Sequence, residues 1–273
     1  MKPNKKARRP SKAELADKHA LYESSVQCAE AEIDFVDDTF SQVRGRRASR
    51  LREDFCGTAI TACEWVRRRG DNVAIGVDLD AEVLQWGRSH NVASLKPKQR
   101  ARVKLLNDNV LTAETEPADI VLAMNFSYWC FKERAALQQY FEAARRSLAD
   151  DGILFLDAFG GYDAFRTLKE KTKNGDFSYI WEQAAYNAVN GEFLTHIHFK
   201  FDDGSKLKKA FTYDWRLWTL VEIRELLQAA GFSKVVTYFH GWDEETGESD
   251  GNFLPGLVVD ADPGWQAYIT AEK

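Results

Sequence analysis

The sequence has few cysteines and no long apolar run. Its four cysteines include no C-x-x-C pair, and they stand at Cys28, Cys56, Cys63 and Cys130. This spacing argues against a zinc site and against a disulfide framework, so we expect reduced thiols and no bound metal. No segment approaches the roughly 18 to 20 apolar residues that span a bilayer, and the basic, polar residues 1–12 lack the apolar stretch of a secretory signal. We therefore expect a soluble, cytoplasmic protein without a membrane anchor.

An excess of positive charge is also absent. The net charge is −5 over 273 residues and the isoelectric point is near 5.7, which argues against nucleic acid as a partner. The local exception is a short basic tail at the N-terminus. The tail is either solvated or in contact with a polyanion. Its basic residues are Lys2, Lys5, Lys6, Arg8, Arg9 and Lys12. The length suffices for one large α/β domain, with or without an inserted subdomain.

Apolar residues recur alternately at the periods of helices and strands through most of the chain. Residues 11–43 have the three- and four-residue spacing of one or two N-terminal helices. Strands are predicted from residue 51 and at 73–77, 103–106, 120–124, 153–156, 234–239 and 266–270. Helices are predicted at 60–69, 81–90, 132–148 and 220–230. Strands and helices that alternate in this way form right-handed βαβ units and a parallel sheet.

Between residues 177 and 215 the period changes from helical to two. Three strand-like runs, 177–189, 192–201 and 206–215, are separated by Asn190-Gly191 and Asp203-Gly204, dipeptides that supply the positive φ angles of two-residue hairpin turns. We expect a three-stranded antiparallel meander inserted after the fifth core strand. The predicted division is a basic tail and helical lid at 1–46, a core at 47–161 and 219–273, and a β-rich inserted cap at 162–218.

The segment Glu53-Asp54-Phe55-Cys56-Gly57-Thr58-Ala59 joins the first predicted strand to the next helix. In a doubly wound sheet this turn lies at the ligand-binding edge, where a backbone with few large side chains lets a cofactor approach. The segment resembles the acid-x-Gly-x-Gly motif of class I S-adenosylmethionine-dependent methyltransferases, with Glu53 in the acidic position and Cys56-Gly57-Thr58 matching its Cys-Gly-Thr core. It departs from the motif at Phe55 and Ala59, which replace glycines. The missing glycines argue against a dinucleotide, because a pyrophosphate needs free backbone amides.

Polar side chains at the ends of the next strands fit the same resemblance, which covers residues 51–160 and 219–273. Asp78 follows the turn by about 20 residues, where a carboxylate accepts hydrogen bonds from both ribose hydroxyls; a helix N-cap is the alternative. Asp108-Asn109-Val110 resembles the family segment that binds the adenine amine, and either Asp108 or Asn109 can hold that role. The resemblance implies S-adenosylmethionine as cofactor. The residues expected to bind it are Tyr22, Glu53, Phe55, Cys56, Gly57, Thr58, Asp78, Leu79, Asp108, Asn109, Val110 and Asn125.

The family places methyl-acceptor contacts at the end of the fourth strand, here residues 124–129. The expected acceptor contacts are Ser127, Trp129, Tyr213, Arg216 and Trp218, and the expected catalytic residues are His240 and Tyr128. Aromatic faces favour a sulfonium or a methylated amine, although the same rings would serve as core residues. For Arg216, an ion pair with Asp214 or Glu222 competes with a substrate carboxylate. For His240, a structural role competes with that of a general base.

Two further features leave alternatives open. Residues 17–22 look like the N-terminal helix that many small-molecule methyltransferases fold over the methionine end of the cofactor. Tyr22 in this helix either contacts the cofactor carboxylate or packs against the sheet. His196 and His198 share one face of a strand, a spacing that permits a metal pair. Without a third ligand nearby, a solvated or substrate-facing strand is expected.

Together these patterns predict an α/β fold with a seven-stranded, mostly parallel, doubly wound sheet, an antiparallel last strand, an N-terminal helical lid and an inserted antiparallel β meander. The predicted function is in-line methyl transfer from S-adenosylmethionine to a small-molecule acceptor, positioned by the fourth-strand segment and the insert. The alternative is a cofactor-binding but catalytically silent partner subunit that holds RNA or protein. A nicotinamide oxidoreductase is disfavoured by the altered glycine turn. A homodimer is compatible with the sequence.

Overall fold

The computed structural model describes residues 9–242 and 249–273, and the chain divides into two compact units. Unit 1 comprises Met1–Gln27 and Arg166–Trp215, and unit 2 comprises Cys28–Phe165 and Arg216–Lys273. Four residues of the predicted basic tail lie outside the described residues, namely Lys2, Lys5, Lys6 and Arg8. None of the described helices has the length and apolar character needed to span a bilayer.

Helices and strands alternate much as the periodicity predicts. In the described ranges the α-helices are α1 (Lys12–Leu15), α2 (Lys18–Val26), α3 (Ala29–Arg44), α4 (Ile60–Arg68), α5 (Ala81–Gly87), α6 (Pro97–Arg100), α7 (Arg134–Ser147) and α8 (Leu220–Ala229). The strands are β1 (Arg50–Asp54), β2 (Val73–Asp78), β3 (Val103–Asn107), β4 (Ala118–Ala123), β5 (Leu148–Gly160), β6 (Leu168–Asn174), β7 (Phe177–Tyr186), β8 (Glu192–Phe201), β9 (Lys206–Arg216), β10 (Lys234–Trp242), β11 (Ser249–Pro255) and β12 (Trp265–Glu272).

The sheet of unit 2 is mostly parallel. Across the described residues its strand order is β11-β10-β12-β5-β4-β1-β2-β3. The strands from β5 to β3 run parallel to one another, whereas β12 runs antiparallel to both of its neighbours, β5 and β10. The predicted parallel sheet with an antiparallel last strand is confirmed. Because parallel strands end at one edge, the carboxyl ends of β1, β2, β3 and β4 lie along the same side of the sheet, where such folds bind ligands.

The sheet has one strand more than predicted. β11 pairs antiparallel with β10 at the sheet edge, with Leu254 opposite Phe239. Its sequence is polar and rich in turn residues, so it lacks the period-two pattern of a strand. An edge strand forms ladder hydrogen bonds on one side only, which tolerates Pro255 at its end.

Helix α3 packs in the core of unit 2. Ile33, Val36 and Phe40 recur at helical spacing and are buried in one cluster with side chains from β1, β4 and β5. Gly45 ends the helix in the left-handed conformation, and its N–H donates to the Ser41 carbonyl. Helices α1 and α2 belong to unit 1, whereas α3 belongs to unit 2.

Unit 1 contains a separate antiparallel sheet, as predicted for the inserted meander. Among the described residues it has four strands in the order β6-β7-β8-β9. Its core is formed by Ile197, Phe199 and Phe201 of β8, against which Leu21 of α2 and Tyr179 of β7 pack. The additional strand, β6, is largely exposed and has lysines at alternate positions. Such charged edge strands discourage pairing with other chains, and they lack the apolar alternation from which a strand is predicted.

Candidate active site

The turn between β1 and α4 is left-handed at alternate residues. Phe55 has φ 56°, Gly57 has φ 52° and Ala59 has φ 58°. An L residue adopts this region at a cost of about 1–2 kcal/mol, whereas glycine adopts it freely. Phe55 and Ala59, which replace glycines of the motif, therefore adopt the backbone conformation that glycine would favour.

Two glycines pack directly behind this turn. A Cβ atom on Gly76 of β2 would lie 2.7 Å from the Sγ of Cys56. A Cβ atom on Gly87 at the end of α5 would lie 2.5 Å from the carbonyl oxygen of Thr58. Both separations are well below the roughly 3.5–4.0 Å of a normal carbon contact. The turn is therefore fixed in place by β2 and α5.

Asp78 at the end of β2 is hydrogen-bonded to the turn. Its Oδ2 accepts from the Gly57 N–H at 2.8 Å, and its Oδ1 accepts from the Asp80 N–H at 2.9 Å. Burial raises the pKa of the Asp78 carboxyl despite these bonds. The side chain is only half-buried, so a further donor can reach the carboxylate. The N-cap of α5 is Asp80, which accepts from the N–H groups of Glu82 and Val83, so the alternative role considered for Asp78 belongs to its neighbour.

The loop after β3 is tied to the same strand end. The Asp108 N–H donates to the backbone carbonyl of Asp78 at 3.1 Å, and the Nδ2 of Asn107 donates to the carbonyls of Asp78 and Leu79. Asp108 is exposed, and its Oδ1 accepts from the Asn109 N–H. Asn109 is half-buried, and its Oδ1 accepts from the Leu111 N–H. The Leu79 side chain is 69% exposed. Sequence reasoning missed Asn107, although an amide at a strand end was a usable signal.

A buried ion pair lies within β1, and its arginine also binds the loop after β3. The Nε of Arg52 donates to the Oδ1 of Asp54 at 2.8 Å, and both side chains are almost completely buried. Other N–H groups of Arg52 donate to the Val110 carbonyl at 3.1 Å, the Ala113 carbonyl at 3.0 Å and the Ser147 hydroxyl at 2.7 Å. Sequence reasoning missed this pair; the signal was its spacing, because residues two apart on a strand share one face. Val110 thus contributes its carbonyl to a structural network.

The turn after β4 is strained and anchored by a buried carboxyl group. Asn125 has φ 58° and Phe126 has φ 57°. Their N–H groups donate to the two carboxyl oxygens of Asp157 on β5, each at 2.8 Å. Burial raises the pKa of Asp157 to about 8. Consecutive left-handed residues persist only where their surroundings enforce them, and such strain concentrates at functional sites.

The residues that follow this turn have structural roles. The Tyr128 hydroxyl donates to the Asp157 carbonyl at 2.7 Å, and the side chain is fully buried. The expectation that Tyr128 is catalytic is therefore corrected, since its hydroxyl is already used inside the core. Trp129 is also fully buried among other rings, which corrects its expected contact with the acceptor to core packing. Ser127 is half-buried, and its hydroxyl donates to the Met124 carbonyl at 2.8 Å.

Several residues in the turn between β1 and α4, and at the end of β1, are buried. The Oε2 of Glu53 accepts from the Ala62 N–H at 2.9 Å, and burial raises the pKa of Glu53 to about 8. Cys56 is buried, and burial also raises the pKa of its thiol. The Thr58 hydroxyl is buried and has no hydrogen-bond partner within the described residues. An unsatisfied buried hydroxyl costs about 1–3 kcal/mol, a cost that a bound polar ligand would remove.

Arg216 is held by groups of unit 2. Its Nη2 donates to the Oε1 of Glu222 at 2.7 Å and its Nη1 to the Lys132 carbonyl at 3.2 Å. Its guanidinium carbon lies 3.7 Å from the ring centroid of Trp218. The expected clamp on a substrate carboxylate is corrected to the ion pair with Glu222. Trp218 is almost fully buried, and its indole N–H donates to the Phe131 carbonyl at 3.2 Å.

Two residues expected near the ligand lie in unit 1. Tyr22 of α2 packs against Phe211, with ring centroids 4.9 Å apart. Tyr213 of β9 stacks on Trp215 with centroids 4.4 Å apart, and burial raises the pKa of Tyr213 to about 12. The roles of Tyr22 toward the cofactor carboxylate and of Tyr213 toward the acceptor stay predictions.

The histidines of β8 are hydrogen-bonded to neighbouring strands. The Nδ1 of His196 lies 2.9 Å from the Thr212 hydroxyl oxygen, and the Nε2 of His198 lies 2.7 Å from the Oε2 of Glu182. The Lys209 N–H donates to the Nδ1 of His198 at 3.0 Å, so the neutral ring of His198 carries its proton on Nε2. In residues 9–242 and 249–273, no group of three or more His, Cys, Asp or Glu is arranged to hold a metal ion.

His240 lies near the end of β10. It is half-buried and pairs with Phe253 of β11, with ring centroids 4.1 Å apart. This position at a strand end is compatible with a general base and with a structural role. Its catalytic role stays a prediction.

Known proteins resemble this chain in both sequence pattern and fold. Residues 54–156 match the family model of a methyltransferase domain. The chain carries a methyltransferase domain. The match begins in the first turn and ends in β5, so it includes Gly57, Asp78 and Asp108. The predicted S-adenosylmethionine-dependent methyltransferase and its cofactor are confirmed at this level. No curated protein matches the sequence significantly.

Solved structures extend the likeness to nearly the whole chain, at the level of fold. An S-adenosylmethionine-dependent methyltransferase from Clostridium acetobutylicum is 14% identical with a TM-score of 0.65, over 92% of this chain and 96% of that one. The amino pentose methyltransferase CalS10 from Micromonospora echinaspora is 16% identical with a TM-score of 0.65, over 93% and 96%. The sugar N-methyltransferase KedS8 from Streptoalloteichus is 14% identical with a TM-score of 0.63, over 100% and 98%.

The close packing behind the first turn predicts a large effect of a small substitution. Gly87→Ala is expected to displace the Thr58 carbonyl, to lower the affinity for S-adenosylhomocysteine by about tenfold and to lower the free energy of unfolding by about 1–3 kcal/mol. Calorimetry and urea unfolding measure the two effects. Gly70→Ala is the matched control, because a Cβ there meets no atom within 4 Å. Equal behaviour of the two variants would show that the turn is not held by α5.

Proposed function

We propose that this chain transfers a methyl group from S-adenosylmethionine to a small-molecule acceptor. The observation that carries the proposal is the half-buried carboxylate of Asp78. It accepts the N–H groups of Gly57 and Asp80 and is open enough for a further donor to reach it. The turn after β1 and the loop after β3 meet at this residue, because the Gly57 N–H donates to its carboxylate and the Asp108 N–H donates to its backbone carbonyl. Two neighbouring ribose hydroxyls fit such an acceptor.

Other groups at this edge fit the remaining parts of the cofactor. The exposed side chain of Leu79 offers an apolar face to adenine, and Asp108 or Asn109 offers an acceptor to the adenine amine. The unsatisfied hydroxyl of Thr58 offers a polar group in the first turn. Glu53 supports that turn from the core through its bond to α4. When bound, the cofactor supplies a methyl group already activated at a sulfonium.

The chain itself has to orient the acceptor, exclude water and take up a proton where the reaction releases one. Orientation matters most, because in-line displacement requires the reacting atoms to be held at about 3–3.5 Å. The turn at Asn125 and Phe126 is a rigid boundary for this purpose, since Asp157 binds both of its N–H groups. We assign proton uptake to His240, because it lies near the end of β10 and a neutral imidazole has a ring nitrogen that accepts a proton.

A small acceptor is supported by similar structures and by charge. Two of those structures are described as an amino pentose methyltransferase and a sugar N-methyltransferase, which is an analogy of fold. The net charge of −5 does not favour the alternative of a silent subunit that holds RNA. We further propose that the inserted strands of unit 1, with Tyr213, contribute to the choice of acceptor.

The proposal is tested first by binding and then by turnover. S-adenosylmethionine and S-adenosylhomocysteine are expected to raise the melting temperature, and NAD and NADP are not, because a ligand that binds only the folded state stabilises it. Release of S-adenosylhomocysteine is then measured with a panel of small amines and amino sugars. With an active acceptor, Tyr213→Ala should lower kcat/KM by about tenfold and leave S-adenosylhomocysteine affinity unchanged.

Val189→Ala is the control for the insert, because Val189 is 94% exposed on a hairpin of unit 1. Stabilisation by NAD instead of S-adenosylmethionine would contradict the proposed function. Unchanged turnover in Tyr213→Ala would contradict only the role of the insert.

A further inference from the structure

Unit 2 contains an aromatic cleft between the end of β5 and the start of β12. Its volume is about 310 Å³. The side chains that form its walls are Phe159, Tyr162, Phe165, Leu217, Trp218 and Trp265. Two of these rings are open to solvent, with Tyr162 56% exposed and Phe165 48% exposed. Contiguous exposed apolar surface marks interaction sites and ligand-binding grooves.

The cleft is built into the backbone of β5 and not left by loose packing. A Cβ on Gly160 would overlap the ring of Trp265, and a Cβ on Gly161 would overlap the carbonyl of Pro263. Gly161 also has φ 101°, a conformation that L residues rarely adopt. The two glycines therefore let the segment before β12 approach β5 and form one wall. The N–H groups of Tyr162 and Asp163 hold this segment through the carbonyls of residues 262 and 263.

The cleft adjoins the strand end where an acceptor is expected. Phe159, which lines the cleft, packs against Phe126 with ring centroids 4.7 Å apart. Phe126 belongs to the strained turn after β4 that Asp157 anchors. A molecule in the cleft would thus lie beside the rigid boundary to which the proposed reaction assigns acceptor orientation.

The charge of the cleft restricts what it can bind. Of the described residues that line it, Asp262 is the only Asp or Glu, and none is Lys, Arg or His. A phosphorylated, nucleotide-linked or carboxylate acceptor would call for a cation or a fork of N–H donors. Aromatic walls with one carboxylate instead favour an apolar ring and a positively charged nitrogen.

We propose that this cleft binds the methyl acceptor and that the acceptor is an apolar amine, a ring compound with a protonatable nitrogen and no anionic group. The inference rests on the proposed function, which it narrows to a substrate class. The rings supply the contact area for the apolar part. Asp262 selects for the positive charge, and its carboxylate can be altered without loss of the wall, because the bond from the Tyr162 N–H is to its backbone carbonyl.

A pair of probes with the same ring and opposite charge tests the proposal on the full chain. Phenethylamine and 3-phenylpropionate are titrated against the protein by ligand-observed NMR. Phenethylamine is expected to bind about fivefold more tightly or better. Asp262→Asn should reduce the preference to less than about twofold. Asp260→Asn is the matched control, since it removes the same charge from an exposed position outside the cleft lining, and the preference should persist.

A second variant tests the aromatic wall. Phe165→Ala should weaken phenethylamine binding by about fivefold or more, whereas Val221→Ala, at a side chain that is 62% exposed and outside the cleft lining, should not. Equal binding of the two probes, or identical behaviour of Asp262→Asn and Asp260→Asn, would overturn the inference. S-adenosylhomocysteine affinity, measured in every variant, separates the outcomes. Retained affinity without probe preference rejects only the substrate class, whereas absent affinity in the unaltered chain rejects the proposed function.

Discussion

Asp78→Ala is expected to weaken S-adenosylhomocysteine binding by about a hundredfold. The carboxylate would accept two hydroxyl protons from the ribose, and hydrogen bonds to a charged acceptor are worth about 1.5–3 kcal/mol each, so a total near 3 kcal/mol is a cautious estimate. The variant also releases the Gly57 N–H, which Asp78 binds at 2.8 Å. Loss of the ribose hydrogen bonds and loss of the bond to Gly57 should both weaken S-adenosylhomocysteine binding, and calorimetry measures the combined effect.

Asp80→Ala is the control for this variant. Asp80 lies two residues away and caps α5 through the N–H groups of Glu82 and Val83. Its loss should lower the free energy of unfolding by about 1 kcal/mol and leave cofactor affinity within about twofold. If Asp78→Ala bound as tightly as the unaltered chain, the ribose site would have to lie elsewhere. Asp78→Asn separates the two functions of the carboxylate, because an amide oxygen can still accept the Gly57 N–H but carries no charge.

The elements that form the candidate cofactor site could be predicted because their signals are local. Alternating helical and strand periods place β1, β2 and β3 in one parallel sheet, and the number of residues between the first turn and Asp78 is a property of the chain itself. The backbone conformation of the turn between β1 and α4 could not be predicted from its residue types. Phe55 and Ala59 are not glycines, but both have a positive φ. Neither residue type favours that conformation, so the sequence does not predict it.

Edge strands and side-chain partners were harder to predict, because they depend on contacts distant in sequence. β6 and β11 have compositions typical of loops, and their pairing with β7 and β10 is what makes them strands. Tyr128 follows a strand end, where its hydroxyl is expected to be available, but it donates to the backbone carbonyl of Asp157, 29 residues away. The sequence indicates an ion pair for Arg216 with Asp214 or Glu222, and only the fold selects Glu222 as its partner.

The pair Arg52 and Asp54 illustrates the same limit with the largest expected energetic consequence. Arg52→Met should lower the free energy of unfolding by about 3–5 kcal/mol, because it leaves a buried carboxylate without its counter-charge. It also leaves the carbonyls of Val110 and Ala113 without the donors they have now. Those carbonyls lie in the loop that begins with Asp108, so the stability loss should be accompanied by weaker S-adenosylhomocysteine binding.

The pH dependence of this loss identifies its cause. Burial already raises the pKa of Asp54, and Arg52 acts in the opposite direction, so removal of Arg52 should raise the folded-state pKa further. A carboxyl whose folded pKa lies above its unfolded value contributes stability that is present below the unfolded pKa and is lost as pH rises through the folded pKa. Urea unfolding should therefore show a small decrease in the free energy of unfolding for Arg52→Met near pH 5 and a larger decrease at pH 8.

Arg52→Met combined with Asp54→Leu should recover part of the loss, since a buried pair replaced as a whole costs less than one partner removed. Lys234→Met is the control, because Lys234 is 62% exposed beside Glu272 and an exposed pair contributes less than about 1 kcal/mol. A deficit that did not change with pH, or that the second substitution made worse, would show that Arg52 acts by packing and not by balancing the charge of Asp54.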